Sequence, residues 1–226
     1  MRLGVCGMIP SNFRETTPEH LEAIRALELT GAAFHYPGDK MNDLKSEELH
    51  AVRQTFRDTQ MDLVQFGIGY GECLFDPEDS VRDLVLKKIY NGIEVSRELD
   101  SIACLIRTGS LNPNGSYAPS KSNLTIDAKK RLIETLGLIA NKAEKEGVHI
   151  VIETHLLTIM GSPEKNQEII SEVGSKNISV VMDYVNHFQN LEQIYNSRDR
   201  LKQIFSFMNP ISILGHCKDI NFGAGL

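Results

Sequence analysis

An α/β fold on a parallel sheet is the architecture that this 226-residue sequence predicts, and three observations predict it. Short apolar runs rich in β-branched residues alternate with long stretches of helical spacing. Helix-start signals recur in one chemical form, and glycines recur where helices should stop. No linker or change of composition interrupts the alternation, so one domain over residues 1–226 is expected. Strand–helix alternation of this kind implies right-handed crossovers between parallel strands.

The first predicted strand covers residues 3–6. Thr17-Pro18-Glu19 then offers a cap, a proline at the first helical position and an acid at the positive end of the dipole. Gly31 is read as the stop of that helix, and residues 32–35 as the second strand. The third, 63–66, runs into a glycine-dense stretch at 67–71. That stretch lacks the lysine and spacing of a phosphate loop and is read as a mobile strand–helix connection. Asp76-Pro77-Glu78 repeats the helix-start signal. The fourth strand, 102–107, precedes a loop at 111–123 rich in Asn, Ser, Gly and Pro, of the kind that shapes substrate pockets. Leu132, Ile133, Leu136, Ile139, Ala140 and Ala143 mark a helix that Gly147 ends. Strands follow at 148–153, 178–183 and 211–216, with Ser162-Pro163-Glu164 opening a helix and Gly174 closing it. An open doubly wound sheet and a closed barrel both fit this order. The first strand is not followed by Gly-x-Gly-x-x-Gly, so a dinucleotide-binding sheet lacks its best support.

Net charge is −6, and no Lys/Arg cluster interleaved with aromatics stands out, which counts against a nucleic-acid partner. The run Lys129-Lys130-Arg131 lies in a helical pattern and reads as a solvated face. No apolar run reaches the ~18 residues of a membrane span. The N-terminus lacks the apolar block of a signal peptide, so a cytoplasmic protein without a membrane partner is expected. Cys6, Cys73, Cys104 and Cys217 are far apart, which argues for four reduced and mostly buried thiols rather than a disulfide framework or thiolate zinc site.

Three late strands each finish on a ligand-type residue: Glu153, Asp183 and His216. In a parallel barrel that end forms the active face. Side chains alternate along a strand. Glu153 therefore shares a face with Val151 and His149, Asp183 with Val181 and Ser179, and His216 with Leu214 and Ser212. Ile150, Ile152, Val180, Met182 and Ile213 lie on the opposite faces and suit the layer beneath outer helices, so all three ligand types are expected to point inward. Two carboxylates and an imidazole converging at one mouth raise each other's cost of ionisation unless a cation lies between them. An oxygen-rich set with one nitrogen favours Mn²⁺, Mg²⁺ or Co²⁺, with Zn²⁺ as the alternative. Taken singly, each residue reads equally well as a cap or a satisfied core histidine. Their equivalent positions carry the metal reading.

The segments Ile-Val-Ile-Glu-Thr-His (150–155), Val-Val-Met-Asp-Tyr-Val-Asn-His (180–187) and Gly-His-Cys-Lys-Asp-Ile (215–220) resemble motifs of the xylose isomerase-like TIM-barrel superfamily of sugar isomerases, epimerases and related enzymes. The strand order resembles that family throughout; the specific motifs lie in the last third, His-x-Lys-Asp being the most distinctive. The resemblance implies a (β/α)8 TIM barrel, one divalent metal held by Glu153, Asp183 and His216, and an eighth-strand glutamate that completes the site. Two departures stand out. The family often has a histidine three residues after the metal-binding aspartate, whereas His187 comes four after Asp183; it is kept as a substrate-binding candidate. Seven strands are counted before Leu226 and no eighth, so a barrel missing its eighth unit, C-terminally incomplete, is expected. Relatives often form dimers or tetramers, which makes a homo-oligomer an expectation of the resemblance alone.

His155 and Lys218 keep the inward parity of Glu153 and His216, one step further into the mouth. Either would touch a substrate oxygen, and Lys218 would stabilise an anionic intermediate. Asp219 has the opposite parity. Arg107, ending the fourth strand, would meet a carboxylate or phosphate, or form a salt bridge at the rim. His35 is a candidate contact for a sugar hydroxyl, and Gln65 a weaker one. The expected function is isomerisation or epimerisation of a small sugar, polyol or hydroxy-carbonyl compound, with Glu153 as metal ligand and proton shuttle, the eighth-strand glutamate of the resemblance as its acid/base partner, and Lys218 as the catalytic group that stabilises the anion. Three alternatives stand beside it: a metal-dependent dehydratase or lyase of a cyclic polyol or keto acid, a phosphodiester-cleaving enzyme resembling apurinic endonucleases, and a catalytically incomplete binding protein of the same fold.

Overall fold

A computed structural model describes residues 2–219; Met1 and residues 220–226, which include the last residue of the 215–220 motif, lie outside the described residues. Among the described residues seven parallel strands form one sheet in chain order: β1 (Gly4–Cys6), β2 (Gly31–Pro37), β3 (Asp62–Gly69), β4 (Cys104–Arg107), β5 (Ile150–Glu153), β6 (Ile178–Met182) and β7 (Ser212–Gly215). The helices between them are α1 (Pro18–Arg25), α2 (Ser46–Asp58), α3 (Asp79–Leu99), α4 (Ile126–Glu146), α5 (Pro163–Val173), α6 (Leu191–Tyr195) and α7 (Ser197–Met208). Every strand in the sequence reading is present.

The sheet curls. Gln65 on β3 and His216 just past β7 approach to 2.9 Å, whereas four strand spacings in a flat sheet would hold them about 19 Å apart. Ala103, Leu105, Val151 and Val181, with Leu214 against them, form a small interior layer. Ile150, Ile152, Val180 and Met182 belong instead to the large layer between sheet and helices. The expected parity of β5 and β6 therefore holds. In the outer layer Phe13, from a short 3-10 turn after β1, stacks on Phe34 at 4.6 Å and meets Tyr36 edge-on at 5.1 Å. β1 and β7 are the two edges of the sheet, and Leu3 and Ile213 are 55% and 53% exposed there. Ile213 thus departs from its expected place beneath a helix, because no described element covers that face of β7.

Two irregularities break strict alternation. Between β2 and β3, Ala32 pairs with Leu63 but Ala33 pairs with Gln65, which leaves Val64 as an extra residue. Between β6 and β7, Val180 pairs with Ser212 and Val181 with Leu214, with Ile213 in excess. Ser212 is thereby set beside the outward-facing Val180, not on the face expected from its spacing to His216.

Of the helix signals, Thr17 and Ser162 precede α1 and α5, each with proline at the first position, and Gly147 and Gly174 end α4 and α5 at φ of 68° and 69°. Asp76-Pro77-Glu78 acts differently. Asp76 Oδ1 accepts from the Glu78 amide at 2.9 Å in a local turn, and α3 begins only at Asp79. Gly31 does not stop α1. It opens β2, where a Cβ would stand 2.6 Å from Val64 Cγ1, so close packing in the interior requires the glycine. All four cysteines are free as expected, but only Cys73 and Cys104 are buried, while Cys6 and Cys217 are exposed. No described helix is long and apolar enough to cross a membrane.

Candidate metal centre

Glu153 ends β5, Asp183 directly follows β6, and His216 directly follows β7. One ligand atom from each lies within 4.8 Å of the others. Asp183 is fully buried. Its Oδ2 lies 3.3 Å from His216 Nδ1 and contacts the Lys218 ammonium, while its Oδ1 is buried without a hydrogen-bond partner. Burial pushes the Asp183 carboxyl upward, but its contacts with His216 and the Lys218 ammonium outweigh burial and hold the group below its usual range. Glu153 Oε1 lies 3.4 Å from Lys218 Nζ and 3.8 Å from His216 Nδ1. Its Oε2 accepts from the Tyr117 hydroxyl at 2.7 Å.

A divalent ion fits these residues. A buried carboxylate oxygen with no donor is costly unless a cation satisfies it. The positive charge nearest both carboxylates is the Lys218 ammonium, which sits against Asp183 and Glu153 together. The burial that lowers the lysine's pKa is outweighed by Asp183, and the group is held above its ordinary value.

The mouth around this triad holds three more of the expected residues. His35 lies across Gly67, where a Cβ would stand 2.1 Å from His35 Cδ2. Burial lowers its pKa, a fall that Glu153 opposes and Arg107 reinforces. The His155 ring stands 5.2 Å from Tyr117, and burial lowers its pKa as well. Arg107, in register with Glu153 across β4 and β5, is anchored on Tyr70. Its Nη2 donates to the Tyr70 carbonyl at 2.6 Å, its Cζ lies 5.6 Å from the ring centroid, and its Nε is buried without a partner. Among the described residues Arg107 makes no ion pair at the rim.

His187 is not brought to the mouth. It is fully buried behind the triad, where its Nε2 meets Thr154 Oγ1 at 3.0 Å and its carbonyl accepts from Arg200. Thr154 and Asn166 are also fully buried there, and their side chains meet at 3.1 Å. The four-residue spacing after Asp183 puts Asn186 at the third position, with Nδ2 donating to the Thr154 carbonyl at 3.1 Å. His187, expected to bind substrate, thus stands in this buried network and not at the mouth.

Burial pulls the His187 pKa from 6.5 down to about 4. The folded protein therefore binds fewer protons than the unfolded chain between these values. Stability from this residue is full above about pH 6.5 and is lost as pH falls toward 4. Urea unfolding of the wild type is expected to lose about 3 kcal/mol to His187 between pH 7 and pH 4. In His187→Gln that part of the slope should vanish; an unchanged slope would remove the linkage.

One contributor escaped the sequence reading. Tyr117 is the one aromatic in the polar 111–123 loop, and that contrast was the available signal. Its phenol is held neutral, pushed up by burial and by the Glu153 charge. Gln65, read as a weak substrate contact, faces His216 from deep inside, at 3% exposure.

A family model described as a xylose isomerase-like TIM barrel matches residues 21–221. No curated protein sequence matches the chain. Among solved structures, a 3-keto-D-glucoside 4-epimerase from E. coli superposes with a TM-score of 0.72 at 15% identity, over 97% of this chain and 79% of that one. A D-psicose 3-epimerase matches with a TM-score of 0.71 at 17% identity, over 96% and 72%. A probable 3-DHS dehydratase from Bacillus anthracis matches with 0.69 at 12%, over 98% and 74%. At these identities the likeness is one of fold.

Proposed function

Because the chain belongs to the xylose isomerase-like TIM-barrel family, we propose that it is a divalent-metal-dependent isomerase or epimerase acting on a small sugar, polyol or hydroxy-carbonyl compound. One observation carries this reading: ligand atoms of Glu153, Asp183 and His216 converge within 4.8 Å at the ends of three neighbouring strands. A divalent ion held by them supplies Lewis-acid stabilisation of negative charge on a substrate oxygen. Glu153 removes the proton from the carbon beside the carbonyl, giving an enediolate of the substrate, and returns it to the neighbouring carbon in isomerisation; in epimerisation a second acid delivers a proton to the opposite face, the role the resemblance gives to an eighth-strand glutamate. Tyr117 donates to Oε2 and so fixes the carboxylate, leaving Oε1 on the side of Asp183 and His216. Lys218 places its charge beside the same oxygens and stabilises the developing anion. His35 and His155 line the mouth as neutral partners for hydroxyl groups. Matched structures titled as sugar epimerases support the reading.

Calorimetric titration of metal-stripped protein with Mn²⁺ tests it. We expect one site in the wild type and none measurable in His216→Ala, after which ketoses, polyols and keto acids are screened for turnover. A folded wild type that takes up no ion would remove the metal from the proposal.

A second reading keeps the site and changes the reaction to dehydration of a cyclic polyol or keto acid. The specific observation in its favour is Arg107, whose guanidinium is fixed at the mouth with Nε unpartnered and suits a substrate carboxylate. A matched structure titled as a probable dehydratase agrees with it. Product analysis separates the two, because dehydration yields an unsaturated product and epimerisation does not.

A further inference from the structure

The ligand geometry of a histidine is decided by its second nitrogen. An imidazole offers a lone pair at Nδ1 only when the hydrogen sits on Nε2, and the group facing Nε2 makes that choice. Here the group is Gln65. Its Oε1 stands 2.9 Å from His216 Nε2, and a carboxamide oxygen only accepts. With Gln65 accepting, Nε2 carries a hydrogen, and a neutral imidazole then turns its Nδ1 lone pair toward Asp183 Oδ2 at 3.3 Å and Glu153 Oε1 at 3.8 Å. Three electron-rich atoms turned toward one point repel each other unless a cation stands among them.

Gln65 reaches this place because of the irregularity in β3. Leu63 and Phe66 both lie in the outer layer. Regular alternation would send only one of the two intervening residues inward. The extra residue lets both go in. Val64 lies over Gly4 and Gly31, with its methyl carbons 3.2 and 2.6 Å from where a Cβ would stand. Gln65, in register with the inward Ala33, extends to His216. Bulges of this kind re-aim a side chain next to a site.

We propose that Gln65 is the positioning residue that holds His216 as the Nε2–H tautomer and so presents Nδ1 to the metal, with the β3 bulge as the device that delivers it. This rests on the metal reading above. It assigns Gln65 no contact with substrate.

The test combines two measurements. Long-range ¹H–¹⁵N correlation of the metal-free wild type reads the His216 tautomer directly, with His216→Ala identifying the signal. Mn²⁺ calorimetry then compares wild type, Gln65→Leu, which removes the acceptor, and Gln65→Glu, which keeps one. We expect the Nε2–H tautomer in the wild type and in Gln65→Glu, with comparable affinities. In Gln65→Leu we expect a mixture of tautomers and an affinity about 10- to 100-fold weaker. A dominant Nδ1–H form in the wild type would overturn the inference, since Gln65 would then be donating through its amide nitrogen. Wild-type binding retained unchanged in folded Gln65→Leu would overturn it too, while leaving the metal site standing. A folded wild type that binds no Mn²⁺ would overturn the metal reading and this inference together.

Discussion

Glu153→Gln is expected to cut turnover of the Mn²⁺-loaded enzyme by about 10²- to 10⁴-fold, the scale on which a general base acts. The substitution is isosteric. The Tyr117 hydroxyl that donates to Oε2 at 2.7 Å can donate to the amide oxygen of the variant, so the side chain keeps its place. What disappears is the negative charge and the ability to take a proton. Far-UV circular dichroism and the melting temperature should match the wild type, since Glu153 closes a short strand whose other residues are fully buried and apolar. Turnover near the wild-type rate at saturating Mn²⁺ would end the assignment of Glu153 as the proton shuttle.

The second large effect separates function from stability. Asp183→Asn removes the one fully buried carboxylate of the triad and should lower Mn²⁺ affinity by more than about 10³-fold, through loss of an anionic ligand in a site of low dielectric. Apo stability should move far less. Asp183 holds Oδ1 buried without a partner, a cost that the contacts of Oδ2 with His216 and Lys218 offset. The neutral amide loses part of that compensation together with the cost of burying a charge, and is expected to leave the metal-free protein within about 1 kcal/mol of the wild type in urea unfolding. Lys218 loses a partner in this variant but is partly exposed and turns to water, so no buried charge is stranded. A variant destabilised by several kcal/mol with Mn²⁺ affinity intact would mean that Asp183 is a structural anchor for Lys218 and not a ligand.

The strands and the triad were legible because both depend on short-range rules. β-branched runs mark buried parallel strands, and two-residue alternation tells which face Glu153 and Asp183 share. The rest depends on one-residue irregularities and on what lies across the interior. The extra Val64 and Ile213 leave no mark in composition, yet they change which way Gln65 and Ser212 belong. His187 carries a ligand-type side chain within a family-like motif. One additional residue after Asp183 turns it from the mouth into the core, and spacing alone cannot say which. Asp76-Pro77 has the chemistry of a helix start and also that of a turn, and the local hydrogen bond to Glu78 decided for the turn. Tyr117 lies in a loop with no periodicity, where only its reach toward Glu153 reveals a role.

The hydrogen bond between Gln65 and His216 joins residues 151 positions apart. Closing so long a loop is entropically unfavourable, and contacts of this separation form late and slowly. At synthesis rates of ~5–20 residues per second, the interval between these two residues emerging is roughly 8 to 30 s. During that time the first strands can pair with each other while the imidazole they are to orient does not yet exist. On the metal reading, ion capture then waits on β7, and the rate of Mn²⁺ uptake by refolding protein becomes a clock for docking of that strand.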